Sequence, residues 1–211
     1  GLAFANLREK ALWSHEAKSA HPKMAALVAE AALDLEPTPT VAMESAGTCL
    51  IYGRDETAIE LARQLSDKLD VTVLLADPGE VMPPRQMDIP LFKGRIRDLR
   101  GHFGGFGVTV DDYAPALPAA RQSLQFELGR NGAFSECDLV IDVTGDDPLV
   151  RAPDKRDGYL RAAPDDPASV QRIAFQAADL VGTFEKPKYV HYDPSICAHG
   201  RSRKTGCTNC L

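Results

Sequence analysis

From Thr48 to Ala76 the sequence runs apolar, amphipathic, then apolar again, and few architectures accommodate that order. Thr48-Cys49-Leu50-Ile51-Tyr52 is a largely apolar run. Asp55 to Leu69 places Ile59, Leu61, Ala62, Leu65 and Leu69 at helical spacing, and Val71 to Ala76 is apolar once more. The intervening segment keeps a polar face of Glu60, Arg63, Gln64 and Lys68. Strands buried on both faces read as unbroken apolar runs, whereas a helix covering them keeps one wet face. The spacing predicts a βαβ unit, and Asp138-Leu139-Val140-Ile141-Asp142-Val143 supplies a further strand. Together they predict an α/β fold built on a Rossmann-like parallel sheet.

Other segments fill in around this unit. Arg95 to Leu99 and Phe106 to Val110 flank Gly101-His102-Phe103-Gly104-Gly105, which predicts an inserted β-hairpin whose glycines serve a turn with positive φ. His102 then falls at an exposed tip. Asp166 to Phe184 carries Val170, Ile173, Ala174, Ala177, Leu180, Val181 and Phe184 at helical spacing, with Asp165 or Asp166 as cap. Upstream, Leu2 to Leu7 reads as a short strand, and Pro22 to Leu33 as an Ala-rich helix with proline in its first turn. Glu36 to Gly47 reads as a linker. Three segments result: 1–40, a strand and helix belonging to the α/β body; 41–186, the Rossmann-like domain; and 187–211, a cysteine-rich tail.

A length of 211 residues, 44% hydrophobic and 26% charged, is enough for one large domain with an appendage. The net charge of −6 argues against a nucleic-acid partner, which would call for a basic surplus. No 18-residue apolar window and no leading signal pattern occur, so a cytoplasmic protein without membrane insertion is expected. The oligomeric state is not encoded in any pattern of the sequence. The absent initiator Met and the finish on Cys210-Leu211 read as the cut ends of a longer protein.

Two strand-to-helix turns are candidates for chemistry. Gly53-Arg54-Asp55-Glu56-Thr57-Ala58 occupies the position of a dinucleotide fingerprint, but Asp55 stands where its second glycine belongs. Asp55 and Glu56 also put negative charge where a pyrophosphate would sit, so they read as caps and no nucleotide is expected there. Asp77 closes the next strand and could in principle reach a ribose, though Asp-Pro-Gly is also an ordinary turn. Asp142-Val143-Thr144-Gly145-Asp146-Asp147 ends a strand and could hold Mg²⁺ through paired carboxylates, though Gly-Asp-Asp-Pro is also turn chemistry. No catalytic residue is assigned.

The five cysteines divide into isolated Cys49 and Cys137, expected to behave as small buried hydrophobes, and the tail group Cys197, Cys207 and Cys210. Three thiols within fourteen residues, two of them in a Cys-x-x-Cys turn after Gly206, can converge on one soft metal centre. A 4Fe-4S cluster needs a fourth ligand, which a ferredoxin run would place three residues after Cys210. Zinc is the alternative, with His199 as a possible fourth ligand. Arg201-Ser202-Arg203-Lys204 between the ligands can offset cluster charge, dock an acidic redox partner, or simply be solvated.

Asn6-Leu7-Arg8-Glu9, Leu50 to Arg54, Asp138 to Gly145, Arg156 to Ala162, Cys197-Ala198-His199 and Gly206 to Leu211 together resemble bacterial 4Fe-4S ferredoxin-like proteins of the polyferredoxin kind. The resemblance implies that Cys197, Cys207 and Cys210 ligate a 4Fe-4S cluster and that the chain ends inside the first cluster motif. It further implies electron transfer beside a redox partner protein, with the cluster incomplete or absent in the chain as it stands. The α/β body also resembles, distantly, the flavin-binding region of heterodisulfide-reductase-type subunits. A flavin- or NAD(P)-linked oxidoreductase subunit therefore stays open beside a zinc-binding docking module.

Overall fold

The computed structural model describes residues 2–34, 38–118, 122–151, 156–188, 190 and 192–204. The chain divides into two compact units, Val41–Lys186 and a second made of Gly1–Thr40 with Pro187–Leu211. In chain order the elements are α1 (His21–Ala31), β1 (Thr40–Ser45), β2 (Thr48–Gly53), α2 (Glu56–Leu65), β3 (Asp70–Leu75), β4 (Leu91–His102) and β5 (Gly105–Pro115). They continue with β6 (Ala133–Cys137), β7 (Leu139–Asp142), β8 (Tyr159–Arg161), α3 (Pro167–Ala178), β9 (Gly182–Pro187) and α4 (Ala198–Ser202).

The larger unit is organised on a seven-stranded sheet of order β6-β5-β4-β3-β2-β7-β8, and β1 pairs with β9 in a separate two-stranded sheet. β4, β3, β2, β7 and β8 run parallel, whereas β5 and β6 are antiparallel additions. The expected Rossmann-like parallel sheet is therefore corrected to a mixed sheet with few helices. The composition of the crossovers gives the reason. The segment from β3 to β4 contains Pro78, Pro83, Pro84 and Pro90 and forms no helix, because proline removes a helical donor and clashes with the preceding turn. Between β7 and β8 the described residues are likewise irregular.

With only α2 and α3 available, helices cover one face. Ala58, Ile59, Leu61, Ala62 and Leu65 of α2 and Val170, Ile173, Ala174 and Ala177 of α3 pack on Cys49, Ile51, Val73, Leu139 and Ile141. Burying each large aliphatic side chain contributes about 1.5–3 kcal/mol. The opposite face has its own apolar cluster of Tyr52, Leu74, Ala76, Ile96, Val108 and Val110, four of which come from β3, β4 and β5. There the long hairpin takes the place of a helix layer.

The hairpin is present but longer than its glycine-flanked core suggested, running from Leu91 to Pro115. Its two-residue tip, Phe103-Gly104, puts Gly104 at φ +80°, where a Cβ would also strike the Glu44 carbonyl. Other segments differ from expectation. Leu2 to Asn6 forms no strand, the supposed linker contains β1, and α3 stops at Ala178 because the chain turns through Gly182 at φ +124° into β9. Phe184 thus faces Phe103 edge-on at 5.2 Å from a strand instead of extending a helix.

Candidate functional site

Cys197 is the tail thiol within the described residues; Cys207 and Cys210 lie outside them. A tight turn presents it: the Ser195 N–H donates to Asp193 Oδ1 at 2.8 Å and the Cys197 N–H to the Asp193 carbonyl at 3.3 Å. Cys197 is the N-cap of the short α4, and its Sγ accepts the Gly200 N–H at 3.4 Å. The Tyr192 hydroxyl also bonds to the thiol. The Gly200 N–H first, and the Tyr192 hydroxyl second, hold the thiol below the ordinary cysteine range, because both donors favour sulfur with negative charge. Donors of this kind suit a metal-bound thiolate.

α4 ends at Arg203 in the left-handed region, φ +53°, and His199 Nδ1 lies 2.8 Å from the Lys204 carbonyl. A carbonyl only accepts, so Nδ1 bears the proton and Nε2 is the imidazole atom left for a ligand. Among the described residues no group of three His, Cys, Asp or Glu side chains is gathered as a metal site.

The carboxyl ends of the parallel strands hold the other candidates, which the structure ties into separate contacts. Asp55 caps α2 by accepting the Thr57 N–H at 2.9 Å, and Glu56 accepts the Met82 N–H at 2.9 Å. Gly53 passes so close to α2 that a Cβ would come within 2.5 Å of Ala58 Cβ. This turn is a packing contact. Asp77 pairs with Arg95 across the end of β3.

Asp142 is fully buried. Its Oδ1 accepts the Thr144 N–H at 3.0 Å and the Thr144 hydroxyl at 2.7 Å, and its Oδ2 accepts the Tyr159 hydroxyl at 2.6 Å. Arg161 Nε lies 3.8 Å away. Burial, and then the bond to the Asp142 carboxylate, push the Tyr159 phenol far up, so it stays a neutral donor. Asp146 pairs with Arg54 at 2.5 Å and Asp147 with Arg151 at 3.3 Å. The three acids aim at different partners and do not converge as a Mg²⁺ pair. Tyr159 and Arg161, which complete the Asp142 network, lie in the Arg156 to Ala162 stretch quoted for the family resemblance, but sequence reasoning assigned neither a role.

Cys49 is buried and desolvation raises its thiol strongly, while half-buried Cys137 is pushed up to about 12 for the same reason. Both behave as packing residues. Cys137 borders a cavity of about 420 Å³ on the strand-covered face, beside Leu74, Phe92, Val108 and Tyr113. His102 is exposed at the hairpin tip, with Nδ1 2.9 Å from the Phe103 carbonyl. No described helix is long and apolar enough to cross a membrane.

No model of a known protein family matches the chain, and no curated protein matches its sequence.

Proposed function

We propose that this chain binds an iron-sulfur cluster through Cys197, Cys207 and Cys210 and serves electron transfer with a redox partner protein in the bacterial cytoplasm. The observation that carries the reading is the pairing of a three-thiol motif with a polarised first thiol. Cys197 receives a backbone N–H and a phenolic hydroxyl on its sulfur, the donors that stabilise thiolate charge when a cluster is bound. When bound, the cluster supplies one-electron redox chemistry. The protein's part is to hold the sulfurs, supply hydrogen bonds that tune the potential, and present Arg201, Arg203 and Lys204 beside the centre. All three cations are exposed, so an acidic partner surface can reach them.

The test is anaerobic reconstitution of the chain with ferrous iron, sulfide and dithiothreitol, whose thiol is available to a fourth iron. Near-equal iron and acid-labile sulfide, about four of each, with a broad visible absorption that bleaches on dithionite, is the expected result. Zinc retained in preference to iron, or iron without sulfide, contradicts it.

A further inference from the structure

A cleft of about 710 Å³ opens at the β8 edge of the seven-stranded sheet, between β8 and α3. Among the described residues its charged lining is of one sign: Arg156, Arg161 and Arg172, with no acidic side chain. Three cations around one concavity repel each other, and that cost is offset when an anion sits among them. This is unexpected in a chain of net charge −6, in which Arg54, Arg95, Arg97, Arg100 and Arg151 each pair with an aspartate.

Two of the three guanidiniums are held in place, Arg161 with a long ion pair to Asp142 and Arg172 through a serine. Arg161 donates to the Asp146 carbonyl. Its Nε stands 3.8 Å from Asp142, whose oxygens are already taken by Thr144 and Tyr159. Arg172 donates to Ser169 Oγ at 3.2 Å, and Ser169 gives its own proton to Asp166 at 2.5 Å. Ser169 therefore orients Arg172, while Asp166 stands behind the serine. Arg156 and Arg172 form no ion pair among the described residues.

The rest of the wall mixes the apolar Val150, Leu160 and Ile173 with polar side chains such as Ser169 and Gln176. A ligand here needs a strongly anionic end and a carbon body. Guanidinium forks match planar, multidentate oxyanions, and three forks exceed what the two oxygens of one carboxylate accept. A phosphate monoester offers three terminal oxygens and a charge near −2. We propose that this cleft binds a small organic phosphate, its phosphoryl oxygens on Arg156, Arg161 and Arg172 and its body on the apolar part of the wall.

The experiment is calorimetric titration of the full chain at fixed ionic strength with inorganic phosphate, phenyl phosphate and succinate. Arg156→Gln and Arg172→Gln are the variants, and Arg100→Gln, at an 84% exposed side chain on the hairpin, is the control. Saturable one-to-one binding of both phosphates is expected, with phenyl phosphate tighter. Each cleft variant weakens phenyl phosphate about tenfold or more, and the control leaves it unchanged. The proposal is overturned by no saturable heat with phenyl phosphate at millimolar concentration, or by unchanged binding in both cleft variants. Succinate binding as tightly as phenyl phosphate overturns the phosphate assignment. Circular dichroism melts of the variants separate lost binding from lost fold.

Discussion

Asp142 shows how much one buried carboxylate asks of its neighbours. It is fully desolvated and depends on Thr144, Tyr159 and Arg161 for compensation. Removing the Tyr159 hydroxyl also strands the Leu149 N–H, which donates to it at 3.0 Å. Tyr159→Phe is expected to lower unfolding stability by about 1–3 kcal/mol, read from urea denaturation; a loss within error would show that the network is not structural. Ser45 is the converse case, since its buried Oγ has no hydrogen-bond partner among the described residues. Ser45→Ala should be neutral or stabilising by up to about 1 kcal/mol in the same assay, and a clear destabilisation would reveal a partner. The sequence made Asp142 visible as a strand-end acid, but not its role. Its partners Tyr159 and Arg161 arrive seventeen and nineteen residues later on β8, a pairing that only the sheet register creates.

At the scale of elements, legibility followed periodicity. β2, α2, β3 and β7 were readable because each buries a continuous run or a full helical stripe, and the observed bounds fall within a few residues of those runs. β1, β6, β8 and β9 were not, because they are short and largely exposed, and carry too few apolar residues to show a period. The helical spacing that seemed to extend α3 to Phe184 runs past the helix end at Ala178 into a strand that begins at Gly182. Two element-level tests follow. Leu61 of α2, 1% exposed, fills the helix-covered core, and Leu61→Ala is expected to cost about 2–5 kcal/mol.

Asp166 caps α3, and its bonds from Ser169 lower its carboxyl pKa. A depressed folded-state value contributes stability that is present above the unfolded pKa, about 3.9, and is lost as pH falls through the lowered folded value. Asp166→Asn keeps a capping oxygen but removes that dependence. The stability gap between wild type and variant should narrow as pH drops from neutrality to about 3; a gap constant with pH would contradict the linkage.

For the molecule as a whole, the division into Val41–Lys186 and the unit holding both ends separates two kinds of order. The larger unit has two apolar clusters on the two faces of one sheet. In the other unit, α1 and α4 bury no residue, and the helical turn Arg8–Leu12 buries only Ala11. That contrast was only partly legible: the tail cysteines stood out by spacing, whereas the N-terminal helix read as part of the body. In the metal-free chain, iodoacetamide should label Cys197 quickly, and Cys49 and Cys137 only after unfolding, by peptide mass spectrometry.

The most direct measurement is the cluster content of five single Cys→Ser chains reconstituted side by side, scored by iron, sulfide and dithionite-bleachable absorbance. Iron-sulfur ligation by the tail predicts that Cys197→Ser, Cys207→Ser and Cys210→Ser each lose most of the cluster while Cys49→Ser and Cys137→Ser keep it. Equal content in all five chains, or none in the wild type, would contradict it.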